Sequence, residues 1–155
     1  MSLRPVAEPR TAYAHFDHIT TRWMDNDVYR HVNNVVYYSW FDTAVNGLLI
    51  ARGLLDIRSG PVIGLVVETL CCYFRPIAFP DTVAAGVRVA HLGSSSVRYD
   101  IGLFRNAEAT AAAQGHFIHV YVDRASNRPV PIGRPMRAVL AQLRRPGAPA
   151  DPAPG

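Results

Sequence analysis

The sequence predicts an α+β domain in which one antiparallel β-sheet curls around a single long helix. Three observations predict it. A single segment carries a long apolar stripe at helical spacing. The four segments that follow it from Val62 have strand-type composition. Only short turns, FPDT, GSS and NAE, separate those four, which favours an antiparallel sheet over alternating βαβ units.

Each element can be justified in order. Residues 14–23, AHFDHITTRW, mix aromatic, β-branched and polar side chains in rough alternation, as a strand does, and the polar stretch MDNDVYRH then interrupts them. In the next segment Tyr37, Phe41, Ala44, Leu48 and Ala51 fall on one helical face, widened by Trp40, Val45 and Leu49. Asn33 or Asn34 is the N-cap and Gly53 the stop, and the width of the stripe predicts a helix wrapped on most sides. The strands are VIGLVVETLCCYFRPIAF, TVAAGVRVAHL, SSVRYDIGLFR and ATAAAQGHFIHVYVD. In the last, Gly115, Phe117, His119 and Tyr121 alternate with His116, Ile118, Val120 and Val122. A short helix opened by Pro135 sets Met136, Val139, Leu140 and Leu143 on one face. Both ends are rich in proline and alanine without periodicity. Residues 1–12 are therefore expected to be a mobile arm, 13–145 the single domain and 146–155 a disordered Pro/Ala tail.

Composition narrows the function classes. A chain of 155 residues is one ordinary domain and needs neither disulfides nor a structural metal to fold. All 16 basic residues are arginines, set against 12 acids for a net +4, and the absence of lysine excludes Schiff-base or lysine-nucleophile chemistry. The arginines are scattered, with no block longer than Arg144-Arg145, so no nucleic-acid partner is expected. No apolar run reaches 18 residues and MSLRPVAEPR lacks an apolar core, so neither a membrane span nor secretion is expected. Cys71 and Cys72 are adjacent and would face opposite sides of a strand, which fits free thiols in a reducing, cytoplasmic compartment.

The chemistry concentrates in Arg22-Trp-Met-Asp25-Asn-Asp27-Val-Tyr-Arg30-His31-Val-Asn33-Asn34, which sets two carboxylates, a histidine and three amides before the helix. A carboxylate there can serve as nucleophile or general base, and free N–H groups at a helix start can hold a developing oxyanion. The same residues also have plainer uses, since Asp25 or Asp27 could form a turn, or pair with Arg22 or Arg30. Glu68, in the middle of an apolar strand, is either a second catalytic carboxylate that positions water or the partner of an arginine. Asp25, Asp27 and His31 match no strong metal spacing, and no metal is expected.

The string RWMDNDVYRHVNNVVYYSWFDTA resembles the hot-dog-fold acyl-CoA thioesterases of the 4-hydroxybenzoyl-CoA thioesterase family, and YFRPIAFPDTV resembles that family's strand end. The likeness covers about residues 14–123. It implies a hot-dog fold and hydrolysis of an acyl-CoA thioester, with Asp27 as nucleophile or base and the Asn34 backbone N–H as oxyanion donor. It further implies Asn33 at the helix opening, Asp25 as a structural neighbour, and His31 orienting the loop or lining the pocket. Tyr37, like Tyr38, Trp40 and Val36, could line an aromatic or a fatty acyl pocket equally well, and by the resemblance the turn holding Ser95, Ser96 and Arg98 would meet coenzyme A. Coenzyme A enters as part of the substrate and no separate cofactor is implied. Homodimers, commonly joined into homotetramers, would place active sites at subunit boundaries. Where the family commonly has glycine this chain has Arg30, so either the loop bends differently or Arg30 serves the site. The rival readings are a non-catalytic acyl-CoA-binding module and a hot-dog enoyl-CoA hydratase using Asp27 with His31.

Overall fold

The computed structural model describes residues 5–147. Strand β1 spans His15–Thr20, helix α1 Asn34–Ala51, β2 Val62–Tyr73, β3 Thr82–Leu92, β4 Ser96–Arg105, β5 Ala113–Asp123, and helix α2 Arg134–Gln142. The helix starts where Asn33 accepts the Val35 N–H, and it stops before Gly53, whose φ of 69° suits a residue without a side chain.

The five strands form one antiparallel sheet in the order β1-β3-β4-β5-β2. Register shifts at Val66/Glu68 in β2 and Val89/His91 in β3 bend it. Phe41, Val45, Leu48 and Leu49 of α1 are sealed against Val87, Tyr99, Ile101 and Phe117 of the sheet. Each such side chain contributes about 2 kcal/mol on burial, and Phe41→Ala would cost about 3–5 kcal/mol. Leu140 and Leu143 of the C-terminal segment close the same core. This is the predicted α+β hot-dog arrangement, with one departure. The helix is covered on one side only, because Val35, Tyr38, Ser39, Asp42, Thr43 and Ile50 remain exposed along the other. A five-stranded sheet can embrace one face of a helix 18 residues long and no more.

Of the expected N-terminal arm, residues 5–12 lie across the outer face of the sheet. Ala111 N–H donates to the Glu8 carbonyl and Glu8 N–H to Gln114 Oε1, while Arg10 donates to the Glu108 and Asn106 carbonyls. Arg88, nearly buried, joins Glu8, Asp100 and the Ala12 carbonyl, and its guanidinium lies over the Tyr13 ring. That ring rests on Gly102, where a β-carbon would meet it at 2.5 Å. The segment lacks periodicity because it is held by individual polar contacts and not by a stripe. Residues 1–4, and 148–155 of the expected tail, lie outside the described residues.

The two sheet edges differ in chemistry. Edge β1 has six residues, including His15, Asp17 and His18. Edge β2 has twelve and leaves Val62, Leu65, Val66, Val67, Leu70 and Tyr73 exposed. Charged, short edges resist further pairing, and long apolar ones invite it.

Candidate active site

The segment between β1 and α1 is built in two halves. In the first, a short 3-10 turn at Trp23–Asp25 buries the Asp25 carboxylate, which accepts the Arg22 backbone N–H at 2.8 Å and the Arg22 guanidinium at 2.8 and 3.1 Å. The Asp25 carbonyl takes the Asn33 N–H at 2.9 Å. Both oxygens of the Asp25 carboxylate are thus taken within the turn.

The second half is a tight reversal between the bridged residues Asn26 and Val32. Asp27 N–H donates to the His31 carbonyl at 2.9 Å, and Arg30 N–H to the Asp27 carbonyl at 3.0 Å. This is a turn closed by a left-handed residue, the usual device for a short hairpin loop, and Arg30 adopts φ 65° to close it. The loop therefore bends as a glycine would bend it, with an arginine there. Asp27 Oδ1 accepts the Tyr29 N–H at 2.8 Å, which fixes the carboxylate, and no described hydrogen bond uses Oδ2. The loop is anchored from below by Val32 N–H on the Ile77 carbonyl and Phe79 N–H on Asn26 Oδ1.

Helix α1 begins seven residues after Asp27. Its second and third N–H groups are taken, Val35 by the Asn33 side chain and Val36 by the Asn33 carbonyl. The Asn34 N–H has no acceptor among the described residues. It sits at the positive end of the helix, where an oxyanion is favoured. Asn33 serves as the cap.

Two cavities flank this segment. One, of about 280 Å³, is lined by His31, Val32, Asn34, Tyr37, Tyr73, Phe74, Arg75 and Pro76. Tyr37 is buried between Tyr73 and Trp40, and burial pushes its hydroxyl up to about 12, so it stays neutral near pH 7. The other, of about 670 Å³, is lined by Asp27, Asn26, Val28, Arg30, Trp23 and Phe79. The Trp23 and Phe79 rings meet edge to face at 5.9 Å. Burial lifts the nearby Cys71 thiol to about 12, so it is no thiolate nucleophile.

Asp25, Asp27, Arg30, His31, Asn33, Asn34 and Tyr37 thus lie on the segment that runs into the first turn of α1, Asp27 and Arg30 lining one cavity and His31, Asn34 and Tyr37 the other, while the remaining expected residues lie elsewhere. Glu68 lies across the sheet from α1, its side chain 58% exposed and 2.7 Å from His116 Nε2. The bulge between Val66 and Glu68 turns it to the outer face, so within one chain it is no second carboxylate for Asp27. Ser95 and Ser96 lie at the far end of β3 and β4. The 11 residues of β3 span roughly 33 Å from the Asp27 end. The Ser95 carbonyl accepts the Tyr121 N–H, and Arg98 is bonded to Asp100 at 3.0 Å. Trp23, Phe79, Tyr73 and Arg75 were not singled out by sequence reasoning. The run YFRPIAFPDTV, already conspicuous for its likeness to a family strand end, holds three of the four. Among the described residues no His/Cys/Asp/Glu group could hold a metal ion, and no helix is long and apolar enough to cross a membrane.

Comparison with known proteins adds a family. A model described as the thioesterase-like superfamily matches residues 21–142. The crystal structure of the PA5185 protein from Pseudomonas aeruginosa strain PAO1 is 54% identical, with a TM-score of 0.88 over 90% of this chain and 98% of that one. A thioesterase from Thermus thermophilus, complexed with coenzyme A and Zn, is 29% identical, with a TM-score of 0.73 over 89% and 98%. The uncharacterized protein YsmA of Bacillus subtilis strain 168 is 22% identical over 126 residues, 81% of this chain and 84% of that protein.

Proposed function

The chain belongs to the thioesterase-like superfamily and is a thioester hydrolase, and from that premise we propose that it cleaves an acyl-coenzyme A to coenzyme A and a carboxylic acid. One observation carries the reading of the site. A carboxylate with an unused oxygen, Asp27, stands seven residues before an unused N–H at the positive end of a helix, Asn34. The Asp27 oxygen attacks the thioester carbonyl or takes a proton from the attacking water, and both routes need the same ionised carboxylate. The Asn34 N–H receives the oxygen that becomes negative. The tetrahedral intermediate collapses by expelling a thiolate, which is a good enough leaving group to need no acid; on the first route this leaves an acyl–Asp27 anhydride that water then hydrolyses, and on the second it gives the carboxylic acid directly. His31 holds the turn through its carbonyl and borders the Asn34 cavity. Coenzyme A is part of the substrate, and the reaction as drawn uses no other cofactor.

The assembly we propose is a homodimer, paired further into a homotetramer, in the cytoplasm. The exposed apolar β2 edge supports the first pairing. If two β2 edges pair antiparallel, the Ser95–Ser96 turn of one copy comes to the same end of the joined sheet as the Asp27 loop of the other. That geometry would reunite the two halves of the site that a single chain keeps apart.

The test is thiol release from short-chain, long-chain and aryl acyl-CoA. The expected result is thiol from at least one class. Thermal stabilisation by coenzyme A with no thiol from any would mean a binding module. Hydration of an enoyl-CoA with no thiol would mean a hydratase.

A further inference from the structure

The Asp27 cavity is lined by one arginine, Arg30. Arginines 75, 88 and 98 also line cavities, and each is hydrogen-bonded to protein groups: Arg75 to Thr110, Arg88 to Glu8 and Asp100, Arg98 to Asp100. Among the described residues the Arg30 guanidinium has no such partner, although its own backbone N–H is bonded to Asp27. It is exposed and lines the 670 Å³ cavity with Asp27, Trp23 and Phe79.

Its backbone makes the choice of residue costly. Among the described residues, three that are not glycine have positive φ, namely Arg30, Asn106 and Asn127. Asparagine tolerates that region because its short amide bonds locally, whereas arginine has no such compensation. Glycine would close the same turn at about 1 kcal/mol less. An arginine held in a strained conformation, unpaired, at the mouth of a cavity with a carboxylate on one wall and two aromatic rings on another, is placed for a ligand that brings its own anion.

We infer that Arg30 is an anion-binding, specificity-determining residue of this site, receiving a carboxylate or phosphate carried by the thioester itself. The guanidinium fork fits either group in a two-point contact. Two parts of the substrate could supply it, an acyl chain ending in a second carboxylate or the 3′-phosphate of coenzyme A. A neutral aliphatic acyl group would occupy the aromatic wall and leave the arginine unused unless a coenzyme A phosphate reached it. The inference rests on the hydrolase reading above.

The test compares the wild type with Arg30→Gly, which keeps the turn, and Arg30→Gln, which keeps a side chain without charge. Three substrates are used: glutaryl-CoA, butyryl-CoA and butyryl-3′-dephospho-CoA. A carboxylate-borne contact raises KM for glutaryl-CoA by at least about tenfold relative to butyryl-CoA in both variants. A contact to the 3′-phosphate instead raises KM for both coenzyme A substrates relative to the dephospho form. Equal KM changes on all three substrates, or none, would overturn the inference. Loss confined to Arg30→Gly and absent from Arg30→Gln would do the same, because it would trace the effect to the backbone. If the wild type releases thiol neither from these nor from long-chain and aryl acyl-CoA, the hydrolase reading fails on its own. Calorimetry with coenzyme A and glutaryl-CoA then decides the arginine. Tenfold weaker binding to Arg30→Gly supports it, and equal binding overturns it.

Discussion

The segment joining β1 to α1 has two halves made of the same residue types, and their surroundings give them opposite work. Asp25 is buried and accepts three hydrogen bonds from Arg22, so its charge is spent on shaping the turn. Asp27, two residues on, is half-buried at a cavity wall, gives one oxygen to the Tyr29 N–H and keeps the other. Residue type therefore does not mark the catalyst in this loop. On the proposed reading, what marks it is an unspent hydrogen-bonding position in a place a substrate can reach.

Four substitutions test that division, taken in descending order of effect. Asn34→Pro deletes the unspent N–H at a position where proline suits a helix, and Asn33, at ψ 139°, accepts a following proline. The expected loss in kcat is about 10²- to 10³-fold, with Tm held within about two degrees, measured by thiol release and thermal melting. Asp25→Ala should do the reverse. It strands the Arg22 N–H and lowers stability by about 2 kcal/mol in urea unfolding, with activity falling only as the loop loosens. A variant as stable as the wild type would dissolve the division.

His119 extends the contrast to a polar group that is unspent and unreachable. It is 2% exposed between Tyr99, Phe117 and Tyr121, and neither ring nitrogen has a partner. Burial pulls its pKa from 6.5 down to about 4. A folded value below the unfolded one means that the unfolded chain binds the proton first. Stability is then complete above pH 6.5 and falls as pH drops towards 4, by at most about 1.4 kcal/mol per unit. His119→Phe should flatten that part of a stability-against-pH curve, and an unchanged slope would contradict the assignment. The smallest effect is Arg30→Gly, which should raise stability by about 0.5–1 kcal/mol by relieving the left-handed arginine, read by urea unfolding.

Local features were legible in the sequence. The cap at Asn33 or Asn34, the Gly53 stop and the alternation of β5 each depend on a few neighbouring residues; the structure sets the cap at Asn33 and the other two where the spacing put them. Asp27, His31 and Asn34 could be placed together because they lie within eight consecutive positions. Glu68 could not be placed, because one bulge residue, Val67, reverses which face of β2 it occupies. The width of the α1 stripe overstated its burial, since a stripe records which side chains are apolar and not how many strands will cover them. The N-terminal strap was invisible for a similar reason, being held by contacts roughly a hundred residues away in the chain.

Asp27 carries the proposed chemistry, and its test is kcat/KM for thiol release by Asp27→Asn against the wild type, on the best acyl-CoA substrate, with melting curves for both. The amide keeps the acceptor for the Tyr29 N–H and removes the charge. The predicted result is a loss of at least about 10²-fold with an unchanged Tm. Equal kcat/KM in a folded variant would contradict the central claim that the unspent Asp27 oxygen performs the chemistry.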